Sequence, residues 1–193
     1  MPKTAVMPVT GDTTADRLLE KNPLALLIGM LLDQQVPMEW AFRGPQTLTE
    51  RVGSLDPEVI AAMDPEAFVA LCCEKPAIHR FPAAMAKRIQ ALCTIVHDEY
   101  RGNAARIWKG VDDPREIKAR LSKLPGYGDE KARIFLAILG KRFGVAPEGW
   151  ERVATPFSDG RMRSVADVSS HAALLEVRAF KQRQKARGKG KAD

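Results

Sequence analysis

A glycine- and proline-rich turn between two amphipathic helical segments constrains the fold of this chain more than any other feature. The turn lies in residues 124–132, which read LPGYGDEKA. Apolar residues recur at helical spacing over 114–124, before the turn, and again from Ala132 onward. Gly126 and Gly128 carry no side chain, so backbone N–H groups of the turn and of the next helix can approach an anion closely. The pattern predicts a helix-hairpin-helix that binds a nucleic-acid phosphate.

Two basic residues follow the turn and bear on this interpretation. Lys131 and Arg133 lie in the first turn of the second helix, where they could add positive charge beside a phosphate. An ordinary αα-hairpin, whose glycines only close the connection, explains an isolated PGxG turn equally well. The turn therefore needs support from the rest of the chain.

The remaining sequence is predicted to be helical almost throughout. Residues 23–35 are so apolar that the helix they form should be buried nearly all round. Two Asp-Pro-Glu sequences, beginning at Asp56 and Asp64, are typical helix starts, with an aspartate cap and proline at the first helical position. Residues 145–168 show little periodicity and predict a long, partly ordered loop, and a last helix is expected over about 170–185.

The charge of the chain is unevenly distributed. Its net charge is +6, with a calculated pI near 9.4, which by itself favours a polyanionic partner. Residues 181–193 contain six lysines and arginines against one aspartate, which leaves the remaining body at only +1. Such a basic tail is either a solvated, disordered end or a non-specific tether to DNA.

The cysteine and histidine patterns predict no disulfide, no metal site and no bound cofactor. The hydropathy pattern predicts no membrane-spanning segment. Cys72, Cys73 and Cys93 have no metal-binding spacing and are odd in number, and the histidines are scattered. The longest apolar run, residues 23–32, is too short to span a bilayer, and no targeting segment is recognised. These patterns predict a cytoplasmic protein in a reducing compartment.

Three segments together carry a resemblance to a known family. A buried helix ending in LLDQQV (31–36), a helical segment with Phe81, Lys87 and Ile89, and the LPGYG hairpin occur in the order found in the helix-hairpin-helix-GPD superfamily of DNA glycosylases. That superfamily includes endonuclease III and the alkyladenine glycosylases. The resemblance covers roughly residues 20–145, and the ninety-residue separation of LLDQQ from the hairpin is as the family requires.

The resemblance implies an all-α fold in two lobes with a helix-hairpin-helix motif. Lobe A would comprise about 24–143 and lobe B 1–23 plus 144–180, followed by the basic, disordered tail at 181–193. The four-cysteine motif of endonuclease III is absent, so no iron–sulfur cluster is expected. The partner implied is damaged double-stranded DNA, bound across the cleft by a monomer associated with the nucleoid, with the damaged base flipped into a pocket.

The resemblance also assigns residues to DNA binding. Gln35 matches the family position that fills the gap left by a flipped base, although such a residue is equally often a hydrogen-bonded structural amide. The hairpin's phosphate contacts would come from Leu124, Gly126, Tyr127 and Gly128, with Lys131 beside them.

The chemistry implied is that of a glycosylase without lyase activity. Bifunctional family members carry a nucleophilic lysine two residues after the second glycine, where this chain has Glu130. Lys131 lies one residue later, about 100° around the helix, and should point away from the pocket. The family's catalytic aspartate motif is also absent; by spacing Glu148 is the first candidate for the carboxylate and Asp159 the second. Glu130 itself could contact a base or assist an attacking water, or could simply favour the helix N-terminus.

Three functions follow from these observations. The leading one is a hydrolase of base-excision repair that cleaves the N-glycosidic bond of a damaged base. The second is a catalytically inactive DNA-binding or damage-sensing protein with the same fold. The third is a helical interaction protein without a nucleic-acid role, which the nearly neutral body allows. Trp40, Trp108 and Trp150 could stack on a base, but we expect core or interface packing for each.

Overall fold

The computed structural model describes residues 6–193, and within them every regular element is a helix. This confirms the all-α prediction. The ten α-helices are α1 (Thr13–Lys21), α2 (Pro23–Leu32), α3 (Met38–Val52), α4 (Pro57–Ala62), α5 (Pro65–Cys73), α6 (Pro82–Tyr100), α7 (Pro114–Ser122), α8 (Asp129–Arg142), α9 (Trp150–Ala154) and α10 (His171–Ala186). Two short 3₁₀ helices, Ala104–Ile107 and Val165–Asp167, complete the described elements.

Aspartate caps start several helices as the sequence predicts. The Asp56 side chain accepts a hydrogen bond from the backbone N–H of Glu58 at 2.8 Å, and Asp64 accepts one from Ala67 at 2.9 Å. In α4 and α5 the next residue is proline, whose fixed φ suits the first helical position and whose missing N–H costs nothing there. These two caps therefore position α4 and α5 by local chemistry alone.

Helix α2 is the centre of the first half of the molecule. All of its residues from Leu24 to Leu32 are buried, and it packs against α1, α3 and α6. It ends three residues earlier than predicted, because Asp33 takes the C-cap position and Gln35 adopts a positive φ of 57°. The segment 33–35 is therefore a turn that lies at the end of a buried helix.

The second half of the chain is built around α8. Helix α8 packs against α7, α9 and the 3₁₀ helix Val165–Asp167, and this 3₁₀ helix also contacts α10. Gly140 lets α9 approach α8 closely, since a Cβ atom there would lie 2.7 Å from the Trp150 ring. The connection between α7 and α8 is the hairpin at 123–128.

The prediction of a long, partly ordered loop over 145–168 is wrong. This segment contains α9 and a 3₁₀ helix, and Phe157 within it is fully buried. A buried ion pair stabilises it: Lys141 Nζ lies 2.5 Å from Asp167 Oδ1, while Asp167 Oδ2 accepts the backbone N–H groups of Arg163 and Ser164 at 3.0 Å each. A segment without helical periodicity is ordered here because one carboxylate satisfies several buried donors.

The tail also differs from the prediction of disorder from residue 181 onward. Residues 181–186 form the last turns of α10, and the chain then folds back. The Arg163 guanidinium donates to the carbonyl oxygens of Lys191 at 3.3 Å and Asp193 at 3.0 Å. Gln184 Nε2 donates to Gly190 O at 3.1 Å, so the C-terminal residues return to the body of the protein.

One packing arrangement departs from the predicted lobes. Helix α1, which was assigned to lobe B with residues 144–180, packs on α2 and α3 instead. Residues 1–5 of that predicted lobe lie outside the described residues. The lobe boundaries otherwise stay a prediction.

The tight crossing of α2 and α3 gives a test of this packing. A Cβ atom at Gly29 would lie 2.5 Å from Cδ1 of the fully buried Phe42 ring. We expect Gly29→Ala to lower the free energy of unfolding by about 1–3 kcal/mol through overpacking. Urea denaturation should give this result, whereas the control Gly160→Ala, which would meet no atom within 4 Å, should stay near the wild type. A Gly29→Ala variant at least as stable as the wild type would contradict this packing.

Candidate nucleic-acid interface

The hairpin presents unbonded backbone amides at the start of α8. Gly126 has φ +77°, a conformation that favours glycine, and the Tyr127 N–H closes the turn onto Leu124 O at 3.0 Å. Gly128 is the N-cap of α8 and supplies no side chain to cap it. Because the first N–H groups of a helix have no partner within it, this exposed end of a fourteen-residue helix can accept an anion.

The side chains of the first turn of α8 are mostly engaged within the protein. Asp129 forms ion pairs with Lys118 at 2.5 Å and with Arg133 at 2.8 Å. The hydrogen bond from Lys118, followed by the charge of Arg133, lowers the pKa of Asp129. Arg133 also donates to Thr155 O at 2.7 Å, so its charge is largely used in holding α8 to the segment after α9.

Two hairpin side chains are buried rather than presented to a ligand. Leu124 and Tyr127 belong to the hydrophobic core, and the Tyr127 hydroxyl donates to Leu27 O of α2 at 2.7 Å. Complete burial raises the pKa of Tyr127 well above its ordinary value. The hairpin is therefore anchored to α2 by Tyr127, whereas Gly126 and Gly128 are exposed.

Lys131 makes a second link between α8 and α2. Its ammonium donates to Met30 O at 2.6 Å and to Leu31 O at 2.8 Å, the carbonyls at the end of α2. Burial lowers the pKa of Lys131 to about 8, partly offset by the neighbouring Asp33 carboxylate. The amine is thus a further donor at the C-terminus of α2, where Met30 O also accepts the Asp33 N–H and Leu31 O accepts Gln34 Nε2.

Glu130 makes different contacts from its neighbour Lys131. Its carboxylate lies 4.0 Å from the Lys191 ammonium of the C-terminal segment. Glu130 is exposed, whereas Lys131 is partly buried against α2. The carboxylate of Glu130 therefore lies beside the hairpin and next to a lysine brought there by the fold.

A buried carboxylate that sequence reasoning did not select lies at the end of α2. Asp33 is only 5% exposed, and its Oδ2 lies 3.9 Å from Lys181 Nζ of α10. Burial lowers the pKa of Lys181, and the Asp33 charge acts in the opposite direction. The sequence signal that could have identified Asp33 is its position directly after a wholly apolar helix. A carboxylate buried there needs a cation beside it, since an uncompensated buried charge is costly.

Gln35 is exposed, in a turn that is held by a buried histidine. His79 Nδ1 accepts the Phe81 N–H at 3.0 Å, so Nε2 carries the proton and donates to Gln34 O at 2.8 Å. Burial lowers the pKa of His79, which favours this neutral form. Arg88 Nη1 donates to Gln34 Oε1 at 3.3 Å. The same arginine lies beside the hairpin, since a Cβ atom placed on Gly126 would be 3.5 Å from both Arg88 Cδ and Leu31 Cγ.

The two other candidate carboxylates make contacts of their own. Glu148 lines a separate cavity of about 480 Å³ with the residues that start α7. The hairpin follows the opposite end of α7, about 13 Å along a nine-residue helix. The Asp159 carboxylate forms an ion pair with Arg163 at 2.8 Å, and its backbone carbonyl oxygen accepts a hydrogen bond from the Lys141 ammonium. The fold does not bring Glu148 into one cavity with Glu130.

Comparison with known sequences decides the family. Residues 28–189 match the family described as HhH-GPD superfamily base excision DNA repair protein, which is most of the chain. The chain belongs to this family. The match includes the end of α2, the hairpin and α10, so it reaches well beyond the segments that carried the resemblance in the sequence.

Two solved structures with a similar chain are complexes of endonuclease III. A trapped endonuclease III–DNA covalent intermediate, in an estranged-adenine complex, is 21% identical, with a TM-score of 0.44 over 88% of this chain and 73% of that one. A non-covalent endonuclease III–DNA complex is also 21% identical, with a TM-score of 0.45 over 86% and 78%. TM-scores at this level do not by themselves establish a common fold. No curated protein sequence matches the chain.

The tryptophans of this HhH-GPD protein occupy three different environments. Trp108 is buried and packs against Phe135 with ring centroids 5.4 Å apart. Trp150 is partly buried over Gly140, and Trp40 is exposed although its indole N–H donates to Ala77 O at 3.0 Å. The prediction of core or interface packing is therefore confirmed for Trp108 and Trp150, whereas the Trp40 side chain is exposed.

Neither a metal cluster nor a membrane span is found in the part of the chain that the structure describes. Over residues 6–193 no three metal-ligating side chains are grouped to hold an ion. Within the same residues, no helix has both the length and the hydropathy to cross a bilayer.

The hydroxyl of Tyr127 gives a test of its anchoring role. We expect Tyr127→Phe to lower the free energy of unfolding by about 1 kcal/mol, because a buried hydrogen bond to Leu27 O is lost. DNA affinity should be unchanged, since the ring itself stays in the core. Denaturation and duplex-binding titrations measure the two effects, with Tyr100→Phe as control. A loss of affinity at unchanged stability would assign the hydroxyl to the ligand.

The lowered pKa of Lys131 predicts a pH dependence of stability. Its pKa is about 8 in the folded protein and 10.5 ordinarily, so between these values the unfolded chain holds a proton that the folded one has released. Over this range Lys131 therefore contributes stability that increases with pH. The buried thiols of Cys72 and Cys93, whose pKa burial raises from 9.0 to about 12, act in the opposite direction over the same range, so the contribution of Lys131 has to be measured as a difference between variants.

Urea denaturation of Lys131→Met across this range is the measurement. Relative to Lys131→Met, the wild type should gain unfolding free energy as the pH rises from 8 to about 9.5, because both proteins share the cysteine contribution. Relative to Lys123→Met, which removes an exposed lysine of the hairpin, the wild type should show no such gain. The same pH dependence in both comparisons would contradict the assignment to Lys131.

Proposed function

We propose that this HhH-GPD protein is a base-excision DNA glycosylase that hydrolyses the N-glycosidic bond of a flipped, damaged base and lacks lyase activity. The observation that carries the proposal is Glu130, a carboxylate at the family's nucleophile position, on the helix that starts at the hairpin. The protein would act on double-stranded DNA as a monomer, in the cytoplasm and at the nucleoid.

The contacts of the Lys131 amine support hydrolysis over lyase chemistry by this residue. A Schiff base requires an unprotonated amine that can reach the sugar. The Lys131 ammonium donates to both Met30 O and Leu31 O, and deprotonation would not release it from its buried position beside α2. The adjacent side chain, Glu130, cannot form an imine.

Hydrolysis needs a carboxylate near the reacting sugar instead. When the base leaves with the electron pair of the C1′–N bond, positive charge develops on the sugar and water forms the new bond to C1′. Of the three candidate carboxylates, Glu130 is nearest to the hairpin. Asp159 is paired with Arg163, and Glu148 lies in another cavity, so both remain secondary candidates.

DNA binding in this proposal uses the backbone of the hairpin. The amides of Gly126, Gly128 and the first residues of α8 would hold one phosphate, and Lys131 would contribute only through its partly buried charge. Gln35, exposed at the adjacent turn, would occupy the gap left by the flipped base. Leu124 and Tyr127 would support the hairpin from beneath.

One observation favours a second candidate function. The predicted carboxylates do not share a cavity beside the hairpin: Glu148 is separate, and Glu130 is next to the Lys191 ammonium. A protein that binds damaged DNA without excising a base would have this arrangement. The same experiment separates the two functions.

The test uses duplexes that carry uracil, 8-oxoguanine, hypoxanthine or an alkylated purine, treated with hot alkali to reveal abasic sites. We expect strand cleavage for at least one lesion only after alkali, and no adduct with borohydride. Glu130→Gln should reduce excision by about 10²-fold or more, as the loss of an electrostatic catalytic group does, with duplex affinity retained. Glu148→Gln and Asp159→Asn are the matched carboxyl-to-amide variants.

Each outcome has a defined meaning. Loss of excision in Glu148→Gln or Asp159→Asn alone would transfer the catalytic role to that residue. Cleavage without alkali, together with a borohydride adduct, would contradict the proposal of hydrolysis. Salt-sensitive duplex binding with no excision of any lesion would favour the damage sensor, and no binding at all would leave only the helical interaction protein.

A further inference from the structure

A cavity lined by basic side chains lies beside the Gln35 turn, away from the hairpin. Its volume is about 570 Å³. One wall is the turn that contains Gln35, and the opposite wall is α10, which contributes Arg178, Lys181 and Lys185. Arg80, from the residues before α6, is a fourth cation in the lining. The single carboxylate among the lining residues is Glu39, so the cavity favours an anionic occupant.

The three basic residues of α10 share one helix face, which we call the basic stripe. Arg178, Lys181 and Lys185 are separated by three and four residues, the spacing that places side chains above one another on a helix. Helix α10 buries Leu174 and Val177 in the hydrophobic core. The packing of these apolar residues against the core therefore determines which way the basic stripe faces.

Two carboxylates at the end of α2 and the start of α3 orient the stripe. Glu39 lies 2.9 Å from Arg178 Nη1, and Asp33 lies 3.9 Å from Lys181 Nζ. Arg178 remains 51% exposed and has further N–H donors free for a second anion. The distance from Lys181 to Asp33 is that of an ion pair without a hydrogen bond. Both cations thus keep donors for a ligand in the cavity.

The end of α2 separates this cavity from the hairpin. Leu31 lies next to Gly126 of the hairpin, and Asp33, two residues later, lies next to Lys181 of the stripe. Gln35 follows in the same turn and lines the cavity. The hairpin and the cavity therefore lie on either side of the end of α2 and the turn that carries Gln35.

The distribution of charge along the chain indicates that these cations act at the cavity and not through the overall charge of the protein. Apart from residues 181–193 the protein is nearly neutral, so general electrostatic attraction to a polyanion would depend on the C-terminal residues. Of these, Lys181 and Lys185 face the cavity. Arg183 lines a different surface, with Phe180 and Glu176. The fold thus directs two of the C-terminal charges, with Arg178, onto one cavity.

We propose that this cavity is a second phosphate-binding site, in which the basic stripe holds the sugar-phosphate backbone of DNA across the Gln35 turn from the hairpin. This inference depends on the proposed function for its ligand, duplex DNA. It adds to that function a positioning site: the backbone would be gripped on both sides of the nucleotide that Gln35 displaces. Binding by cations alone predicts affinity that is independent of sequence and sensitive to salt.

The test is the salt dependence of binding to a fluorescein-labelled duplex, measured by anisotropy over a salt series. The slope of log K against log salt is negative, and each phosphate contact that is lost lowers its magnitude, which is the quantity compared between the variants, by about 0.9. We expect the triple variant Arg178→Gln/Lys181→Gln/Lys185→Gln to lower the slope by about two to three. The control Arg183→Gln/Arg187→Gln/Lys189→Gln removes the same charge from exposed residues outside the cavity and should lower it by less than about one.

A pair of single variants guards against misfolding of the triple variant. Lys185 is exposed, so Lys185→Gln should leave the fold intact and still lower the slope by about 0.9. Arg183→Gln, two residues earlier on another face of α10, is its control. Thermal unfolding of all variants confirms that they remain folded.

The results separate this inference from the proposed function. Equal slopes for the stripe and control variants, or an unchanged slope in Lys185→Gln, would overturn the second site even if the wild type excises a base. A stripe-specific loss of slope without excision would support the site and contradict the glycosylase. Stripe variants that weaken binding to single-stranded RNA or an acidic peptide, but not to duplex DNA, would assign the cavity to another polyanion and overturn the inference.

Discussion

The contacts that join α8 to the end of α2 determine the geometry of the whole site. Tyr127 donates its hydroxyl to Leu27 O, and Lys131 donates to Met30 O and Leu31 O. These donors add to partners that the same carbonyls already have, since Met30 O also accepts the Asp33 N–H at 3.2 Å and Leu31 O accepts Gln34 Nε2 at 2.9 Å. Because α2 is buried nearly all round, the hairpin attached to it cannot move without disturbing the core. The Gln35 turn, which continues directly from α2, takes its position from the same attachment.

These contacts also explain how a lysine beside the hairpin can have a purely structural role. A shift of one residue along α8 places Lys131 against α2 and Glu130 next to Lys191. The carboxylate beside the hairpin thus belongs to Glu130, whereas the amine of Lys131 contacts the carbonyl oxygens at the end of α2. One residue of offset along α8 decides which of the two side chains packs against α2.

The parts of the fold that follow from local sequence were predicted, and those that follow from long-range pairing were not. The caps at Asp56 and Asp64, the buried α2 and the position of the hairpin all depend on residues a few positions apart. The pairing of Asp33 with Lys181 joins residues nearly 150 positions apart, so no local pattern could indicate it. Residues 145–168 were predicted as a loop because their order comes from one buried pair, Lys141 and Asp167, and not from periodicity.

The acidic start of α8 makes the hairpin a weak anion site on its own. Carboxylates at Asp129 and Glu130 are favoured by the helix dipole, yet they repel the phosphate that the same amides would bind. Asp129 is neutralised by Lys118 and Arg133, while Glu130 is approached by Lys191 of the C-terminal segment at 4.0 Å. The C-terminal residues therefore offset negative charge at the hairpin and, through α10, line the cavity beyond Gln35. Lys131 and Arg88 add positive charge beside the hairpin, and the cavity beyond Gln35 takes three of its four cations from α10. The cations of this second surface are therefore in place only when α10 is docked on the core.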